Sequence, residues 1–163
     1  MKGHIVIDRQ NKNSYGDLYA AHLLEQYTLY VEMADRVSAR RMLANSFFVS
    51  VHTALITAFV VLLKDNLIPK TLVGLIPFLA LLILCFIWWN MLCSYKKLNS
   101  AKFKLIGEIE ERLPISLFNE EWKLLGEGND GAKYKPLSHL ENWVPICFAV
   151  LYIALACIYY QAK

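Results

Sequence analysis

Three long uncharged runs dominate the pattern of hydrophobic and polar positions along the chain. Residues 45–63 hold no Asp, Glu, Lys or Arg, and the same is true of residues 72–93 and 143–160. Each run is close to the roughly 20 apolar residues that an α-helix needs to cross the hydrocarbon core of a bilayer. The pattern therefore predicts three transmembrane helices over these ranges.

The first two predicted spans continue as helices on one side of the membrane. Neither Gly nor Pro occurs between Asp17 and Ile68, and Ser14 with Asp17 three residues later is a pattern typical of a helix start. We therefore expect a cytosolic amphipathic helix over residues 17–44 that runs directly into the first span. The second span should extend beyond the membrane until Pro114 ends it.

Apolar residues recur at steps of three and four on both cytosolic extensions. Such spacing places them on one face of a helix, and two such faces are expected to pack on each other as an antiparallel hairpin. The stripe of the first extension is Ala20, Leu23, Tyr27, Tyr30, Ala34 and Val37. The stripe of the second is Leu98, Ala101, Leu105, Ile109 and Leu113.

The connecting segments are assigned from polarity and turn residues. Residues 1–16 are polar and are expected to be a flexible N-terminus, residues 64–71 an external turn, and residues 161–163 an external tail. Within the cytosolic segment 94–142, a short helix is expected over 116–125, followed by a turn at the sequence GEGNDG.

Lysine and arginine are distributed unequally between these segments. Residues 1–44 carry six and residues 94–142 carry eight, whereas the 64–71 turn carries two and the tail carries one. Positive charge concentrates on the cytoplasmic side of membrane proteins, so the N-terminus should be cytoplasmic and the C-terminus outside. Because acidic residues alternate with the basic ones on the same side, we expect no nucleic-acid partner.

Polar side chains within the first predicted span form one candidate site. They are Ser46, Ser50, His52, Thr53 and Thr57. Small polar residues permit close helix packing and interhelical hydrogen bonds, which is the favoured interpretation. The lining of a polar pore or cavity, and proton chemistry at the histidine, are the alternatives.

A charged cluster precedes this span and forms a second candidate. Its members are Glu32, Asp35, Arg36, Arg40 and Arg41. The arginines are interpreted first as topology determinants and interfacial anchors. Intersubunit or intrachain salt bridges are one alternative, and binding of lipid headgroups or a phosphate ligand is another. Glu32 and Arg36 have the spacing of a favourable ion pair on one helix face.

Aromatic and acidic residues elsewhere receive simpler interpretations. Trp143 at one end of the third span, and Tyr159 and Tyr160 at the other, are expected at the two membrane–water interfaces. The four cysteines are expected to be packing residues. A solvated face is expected for Glu110, Glu111, Glu120 and Glu121.

No pattern of residues points to catalysis. The sequence has no nucleophile–base arrangement and no metal-ligand spacing, and GEGNDG lacks the Lys-Ser/Thr pair of a phosphate-binding loop. We therefore predict a protein that is not an enzyme, without catalytic residues, bound metal or cofactor.

Two long blocks resemble a known family. LLEQYTLYVEMADRVSARRMLANSFF, followed by a span that contains Ser and Thr, resembles the RipA family of octameric bacterial membrane proteins. EWKLLGEGNDGAKYKPLSHLENWVP resembles the second cytosolic block of that family, and the likeness covers roughly residues 20–150. It implies a small homo-oligomer of the bacterial inner membrane, an octamer if the family name holds, with a role in adaptation or intracellular growth. A more distant likeness is to the two-span SLATT effectors, which are thought to form pores.

These observations together predict an all-α membrane protein with three transmembrane helices and long cytosolic extensions of the first two. Its expected partners are copies of itself and membrane lipids. The expected function is a non-enzymatic structural or adaptation role in envelope physiology. The alternative is a pore- or channel-forming effector in a bacterial defence or stress system.

Overall fold

The computed structural model describes residues 12–65, 67–69, 71, 74–134 and 140–161. Its α-helices are α1 (Lys12–Tyr15), α2 (Tyr19–Lys64), α3 (Leu75–Glu110), α4 (Leu117–Leu124) and α5 (Trp143–Gln161). Over these residues the chain forms no strand, and α2, α3 and α5 are long and apolar enough to cross a membrane. The prediction of an all-α fold with three membrane-spanning helices is confirmed.

The longest element, α2, is one unbroken helix of 46 residues. At 1.5 Å per residue it is about 69 Å long, so it includes both the predicted extension and the predicted first span. The predicted cap at Ser14 is wrong, because Ser14 lies inside α1 and α2 begins after Leu18 without a side-chain cap. Gly16, with φ of 89°, makes the break between the two helices in a conformation that glycine adopts without strain.

Three predicted connecting segments lie only partly within the described residues. Of the predicted flexible N-terminus, residues 1–11 lie outside them, and residues 12–15 form α1. Parts of the external turn and of the tail also lie outside. In the cytosolic segment, α4 matches the short helix predicted over 116–125, and GEGNDG begins with a 3-10 turn at Gly126–Gly128.

The first two long helices run antiparallel and stay in contact from one end to the other. Toward the N-terminal end of α2 the hydroxyl of Tyr27 donates to Glu110 Oε1 at 2.9 Å, and toward its C-terminal end the rings of Phe59 and Phe78 lie 4.7 Å apart. The predicted hairpin is therefore present. Outside the predicted spans, however, the two helices meet through faces that differ in character.

The predicted stripe of α2 faces α3, but the predicted stripe of α3 does not face α2. Ala34 of α2 is only 2% exposed, whereas Leu98 of α3 is 47% exposed and Ala101 is also exposed. The buried residues of α3 here are Lys102, Ile106, Gly107 and Glu110. The contact face of α3 is thus rotated by about one residue from the apolar stripe.

Tyrosines of α2 explain why charged residues of α3 are buried. The Nζ of Lys102 lies 4.3 Å from the centre of the Tyr30 ring, which attracts a cation through its negative face. Tyr27 stabilises the second buried charge by a different contact, since its hydroxyl donates a hydrogen bond to Glu110. Because α2 offers polar partners at these two positions, the helices pack through a mixed face rather than a purely apolar one.

Glu110 holds α4 against the end of α3. Its side chain accepts hydrogen bonds from the backbone N–H groups of Phe118 at 3.0 Å and Asn119 at 3.1 Å. These are free donors in the first turn of α4, and a carboxylate at this position also interacts favourably with the helix dipole. The expectation that Glu110 lies on a solvated face is wrong, because it is fully buried. Glu111, Glu120 and Glu121 are exposed, as expected.

A glycine allows α4 to approach α3 closely. The side-chain amide of Asn119 donates to the carbonyl of Gly107 at 3.0 Å. A Cβ atom on Gly107 would lie only 2.6 Å from the Asn119 Oδ1 atom, so any larger residue would displace the Asn119 side chain that makes this hydrogen bond.

The third long helix, α5, packs mainly on α3 and closes the loop between the first two spans. The hydroxyl of Tyr159 donates to the carbonyl of Ile68, and the hydroxyl of Tyr160 donates to that of Thr71 at 3.0 Å. The core between the three helices consists of Phe59, Ile68, Phe78, Leu81, Cys85, Tyr152 and Tyr159.

Replacement of Glu110 by Ala should loosen α4. Two backbone N–H groups and the Tyr27 hydroxyl lose their acceptor, which costs roughly 2–4 kcal/mol. Hydrogen exchange at the amides of Phe118 and Asn119 should become faster in Glu110→Ala. The control Glu111→Ala removes an exposed carboxylate from the adjacent position and should leave these rates unchanged. Equal rates in the two variants would contradict the assigned role of Glu110.

The contact between Tyr27 and Glu110 should also weaken in alkali. Burial, and then the hydrogen bond and negative charge of Glu110, raise the pKa of Tyr27 from 10.0 to about 12. A raised pKa in the folded state means that this stabilisation is fully present below pH 10 and is lost as the pH rises to about 12. Protection of the Phe118 amide, compared at each pH with Tyr27→Phe, should show this loss in the wild type only.

Candidate functional site

His52 of α2 is enclosed by the three long helices at the level of the predicted membrane interior. Its side chain is fully buried. The ring stacks on Trp88 of α3 at 5.3 Å between centroids, and it packs against Phe148 and Tyr152 of α5 at 5.3 and 5.8 Å. His52 is thus the residue at which α2, α3 and α5 meet.

His52 and Tyr152 form a reciprocal polar contact. The Nδ1 atom of His52 lies 3.0 Å from the hydroxyl oxygen of Tyr152, and that hydroxyl lies 3.3 Å from the His52 backbone carbonyl. If Nδ1 carries the proton, it donates to the tyrosine oxygen while the tyrosine hydroxyl donates to the carbonyl. This arrangement satisfies two polar groups that lipid cannot satisfy.

The other ring nitrogen of His52, Nε2, is buried, and no donor or acceptor among the described residues lies within hydrogen-bond distance of it. In the tautomer with the proton on Nδ1, Nε2 carries only a lone pair, so the group left buried is an acceptor and the one N–H donor of the ring is paired. The Sγ atom of Cys85 lies 3.9 Å from Nδ1, on the side of the tyrosine contact.

Trp88 extends the cluster toward the cytosolic end of the span. Its ring stacks on Phe48 at 5.6 Å with an interplanar angle of 10°, and its indole N–H donates to Asn45 Oδ1 at 3.1 Å. Trp88 is fully buried, so the indole needs this acceptor. The centre of the bundle is therefore filled by aromatic rings whose polar atoms are paired within the chain, apart from Nε2 of His52.

The rings of this cluster pack the three long helices against one another. A general base needs a substrate proton within reach, and the ring of His52 is covered by aromatic side chains. In the part of the chain that the structure describes, no group of three or more His, Cys, Asp or Glu side chains is placed to hold a metal ion. The geometry therefore provides interhelical contact.

The four small polar residues of α2 lie on a different surface from His52. Ser46, Ser50, Thr53 and Thr57 are exposed on the outside of the bundle. The hydroxyls of Ser50, Thr53 and Thr57 donate to the carbonyl four residues earlier, at 2.8–2.9 Å. The five residues that sequence analysis grouped are thus divided between a buried cluster and an exposed stripe, which we call the hydroxyl stripe (Ser46, Ser50, Thr53 and Thr57).

The three arginines have three different environments. Arg36 pairs with Glu32 at 2.6 Å on the exposed surface of α2, as the spacing predicted. Arg41 Nε lies 3.2 Å from an oxygen of Glu141, two residues before the start of α5, and both side chains are largely covered. Because the Nε–H is not aligned with that oxygen, the contact is electrostatic. Arg40 is exposed, and so is Asp35.

The aromatic residues at the two ends of α5 also differ. Trp143 is 63% exposed at the surface, a position compatible with an interfacial anchor. The hydroxyls of Tyr159 and Tyr160 donate hydrogen bonds to backbone carbonyls of the loop that joins α2 to α3.

Several residues of these sites were not found from the sequence. Trp88 and Tyr152 carry no signal in a single-helix pattern, since each is an amphipathic residue in an apolar run, and Asn45 is a single amide at the start of such a run. Glu141 lies 100 positions after Arg41, and only the position of α5 beside α2 brings them together.

Loss of the His52 side chain should destabilise the bundle. His52→Ala leaves a cavity among four aromatic rings, and cavities of this kind cost about 2–5 kcal/mol. Tyr152→Phe removes only the polar contact, and interhelical hydrogen bonds in membranes contribute about 0.6 kcal/mol on average. Unfolding in a detergent titration should therefore show a much larger loss for His52→Ala. A larger loss for Tyr152→Phe would mean that the hydrogen bonds, rather than the packing, hold the cluster.

Comparison with known proteins places the chain in a family. The model of the octameric membrane protein family matches residues 24–161, which include α3, α4, α5 and all of α2 except its first five residues. No curated protein and no solved structure matches the chain. The narrower resemblance to the RipA family stays a prediction. Since the family match covers most of the sequence, the chain belongs to the octameric membrane protein family.

Proposed function

We propose that the protein is a non-enzymatic homo-oligomer of the bacterial inner membrane, an octamer as the family name describes, with a structural or adaptation role in the envelope. The observation that carries the proposal is a set of exposed apolar side chains outside the predicted spans. On and beside α4, Leu117 and Leu124 are 67% and 77% exposed, and Ile115 and Trp122 are also exposed.

With the spans as predicted, this surface lies outside the bilayer. The predicted second span ends at residue 93, and α3 continues for 17 residues to Glu110. The part of α3 that α4 contacts, from Phe103 to Glu110, lies about 15 to 25 Å beyond that predicted end at helical rise. Several large apolar side chains exposed to water in one short segment mark an interaction site, and we call these four residues the α4 patch. Since the family is named for its assembly, a second copy of this chain is the occupant that we propose.

Contacts between copies also have a candidate surface within the membrane. The hydroxyl stripe presents small side chains whose hydroxyls are already bonded to their own helix. Small residues let neighbouring helix backbones approach closely, which favours association in lipid. The proposed oligomer thus has one apolar contact in the cytosol and one small-residue contact in the bilayer.

The proposed orientation follows from charge. The N-terminus and residues 94–142 carry most of the lysines and arginines and are placed in the cytoplasm, with the C-terminus outside. The α4 patch then lies in the cytoplasm. Neither nucleic acid nor a cofactor has a role in this proposal.

A pore is the second candidate, and the hydroxyl stripe favours it. Any pore would lie between copies, because aromatic rings fill the centre of each three-helix bundle. In a ring with α2 facing the axis, Ser50 and Thr53 would line the opening. We favour the structural role because the hydroxyls donate to backbone carbonyls instead of pointing a free donor outward.

Charges placed on the α4 patch should weaken assembly. Native mass spectrometry in mild detergent should show an oligomer for the wild type and smaller species for Trp122→Glu combined with Leu124→Glu. The control Asn129→Glu combined with Ala132→Glu adds the same two charges at exposed positions of the neighbouring turn and should keep the oligomer. A wild type that is monomeric under all conditions would exclude the proposed function.

Overproduction with a membrane-potential dye separates the structural role from the pore. The structural role predicts no depolarisation in the wild type, Ser50→Leu or Thr53→Leu. Depolarisation by the wild type that either substitution abolishes would establish the pore instead. Val60→Leu, at an exposed apolar position of the same helix, serves as the control for changes in bulk alone.

A further inference from the structure

Arg40 differs from the two arginines near it because its charge is not paired. Arg36 is bound by Glu32 and Arg41 lies beside Glu141. Within residues 12–134 and 140–161, leaving aside the gaps in the external loop, no carboxylate forms an ion pair with Arg40. An exposed guanidinium without a nearby carboxylate is a candidate binding group for an anion.

A groove begins at Arg40 and runs along the outside of the bundle. It is shallow and open, and its lining residues are Arg40, Leu43, Ala44, Phe47 and Tyr95. The first four residues lie on one face of α2 at steps of three, one and three, and Tyr95 comes from α3. Leu43 and Phe47 are 73% and 61% exposed, so the floor of the groove is apolar and open.

The groove lies across the predicted membrane surface. Arg40 precedes the first uncharged run by five residues, which is about 7 Å at helical rise. Tyr95 follows the second uncharged run by two residues, and the Arg41–Glu141 contact lies at the same level. Phe47 already lies inside the first run. One end of the groove therefore faces lipid headgroups and the other faces acyl chains.

We propose that this groove binds one anionic phospholipid per protomer. The lipid phosphate accepts hydrogen bonds from the Arg40 guanidinium, with the Tyr95 hydroxyl available as a further donor, and an acyl chain lies along Leu43 and Phe47. An anionic headgroup is preferred over a zwitterionic one because the charge of Arg40 is unpaired and the groove has no carboxylate to hold a headgroup ammonium. The site needs only one protomer and so does not rest on the proposed assembly.

Lipid titration followed by native mass spectrometry tests the site. The purified wild type should bind phosphatidylglycerol more tightly than phosphatidylcholine with the same acyl chains. Arg40→Gln should lower the affinity for phosphatidylglycerol about fivefold, since one basic residue near an anionic surface contributes about 1 kcal/mol. Arg36→Gln removes an exposed charge from the same helix that is already paired, and should change the affinity little. Equal losses in both variants would mean a general effect of surface charge and would overturn the proposal.

A second variant tests the apolar half of the groove. Ala44→Trp fills the floor and should lower the affinity for both phospholipids, while circular dichroism confirms that the helices remain. Unchanged lipid binding in Ala44→Trp would overturn the proposal, and so would dissociation of the oligomer without loss of lipid, since the groove would then seat a second copy. Inorganic phosphate should not compete at concentrations that saturate phosphatidylglycerol binding. Competition would show that the acyl chain contributes nothing and that free phosphate is the ligand.

Discussion

The continuous antiparallel contact between α2 and α3 determines where every other part of the molecule lies. One end of this contact is the hydrogen bond between Tyr27 and Glu110, and the other is the ring contact between Phe59 and Phe78. A shift of one helix past the other by one turn would separate both pairs together. The third span packs on the surface that α2 and α3 form together. Glu110, which makes the last contact between these two helices, also holds α4 through backbone N–H groups of that helix.

The contact uses different chemistry in its two surroundings. Within the predicted membrane segment, apolar burial gives little driving force between helices because lipid is also apolar. Close aromatic stacking around His52 and a few paired polar atoms hold the helices there. Outside the predicted spans, water competes for polar groups, and the helices meet through burial of Lys102 and Glu110 against tyrosines. Both halves bury polar groups and supply most of them with specific partners, while Nε2 of His52 has none among the described residues.

The sequence predicted those features that depend on composition alone. An uncharged run such as 143–160 is long enough to span a bilayer wherever it lies in the fold, and α5 has nearly these bounds. The ion pair of Glu32 with Arg36 is local and was also predicted correctly. The face of α3 that contacts α2 was predicted wrongly, because a search for apolar stripes assumes that buried residues are apolar. Lys102 and Glu110 are buried because of tyrosines more than 70 positions away, and this information is not contained in α3 itself.

Sequence analysis grouped His52 with the serines and threonines near it, and this grouping failed for a similar reason. A helical pattern shows which residues share a face, but two neighbouring faces of α2 both carry polar residues here. Only the positions of Trp88 and Tyr152 decide that His52 points inward. The arginines show the same dependence, since Glu141 is brought to Arg41 by the packing of α5.

The unbroken course of α2 has a mechanical consequence. No glycine, proline or kink interrupts the helix between Tyr19 and Lys64, and these are the usual causes of sharp bends in helices. The part before the predicted first span, from residue 19 to residue 45, is about 39 Å long, so a tilt of about 5° moves its tip by roughly 3 Å. A displacement of that tip is therefore transmitted to the predicted span as a change in tilt.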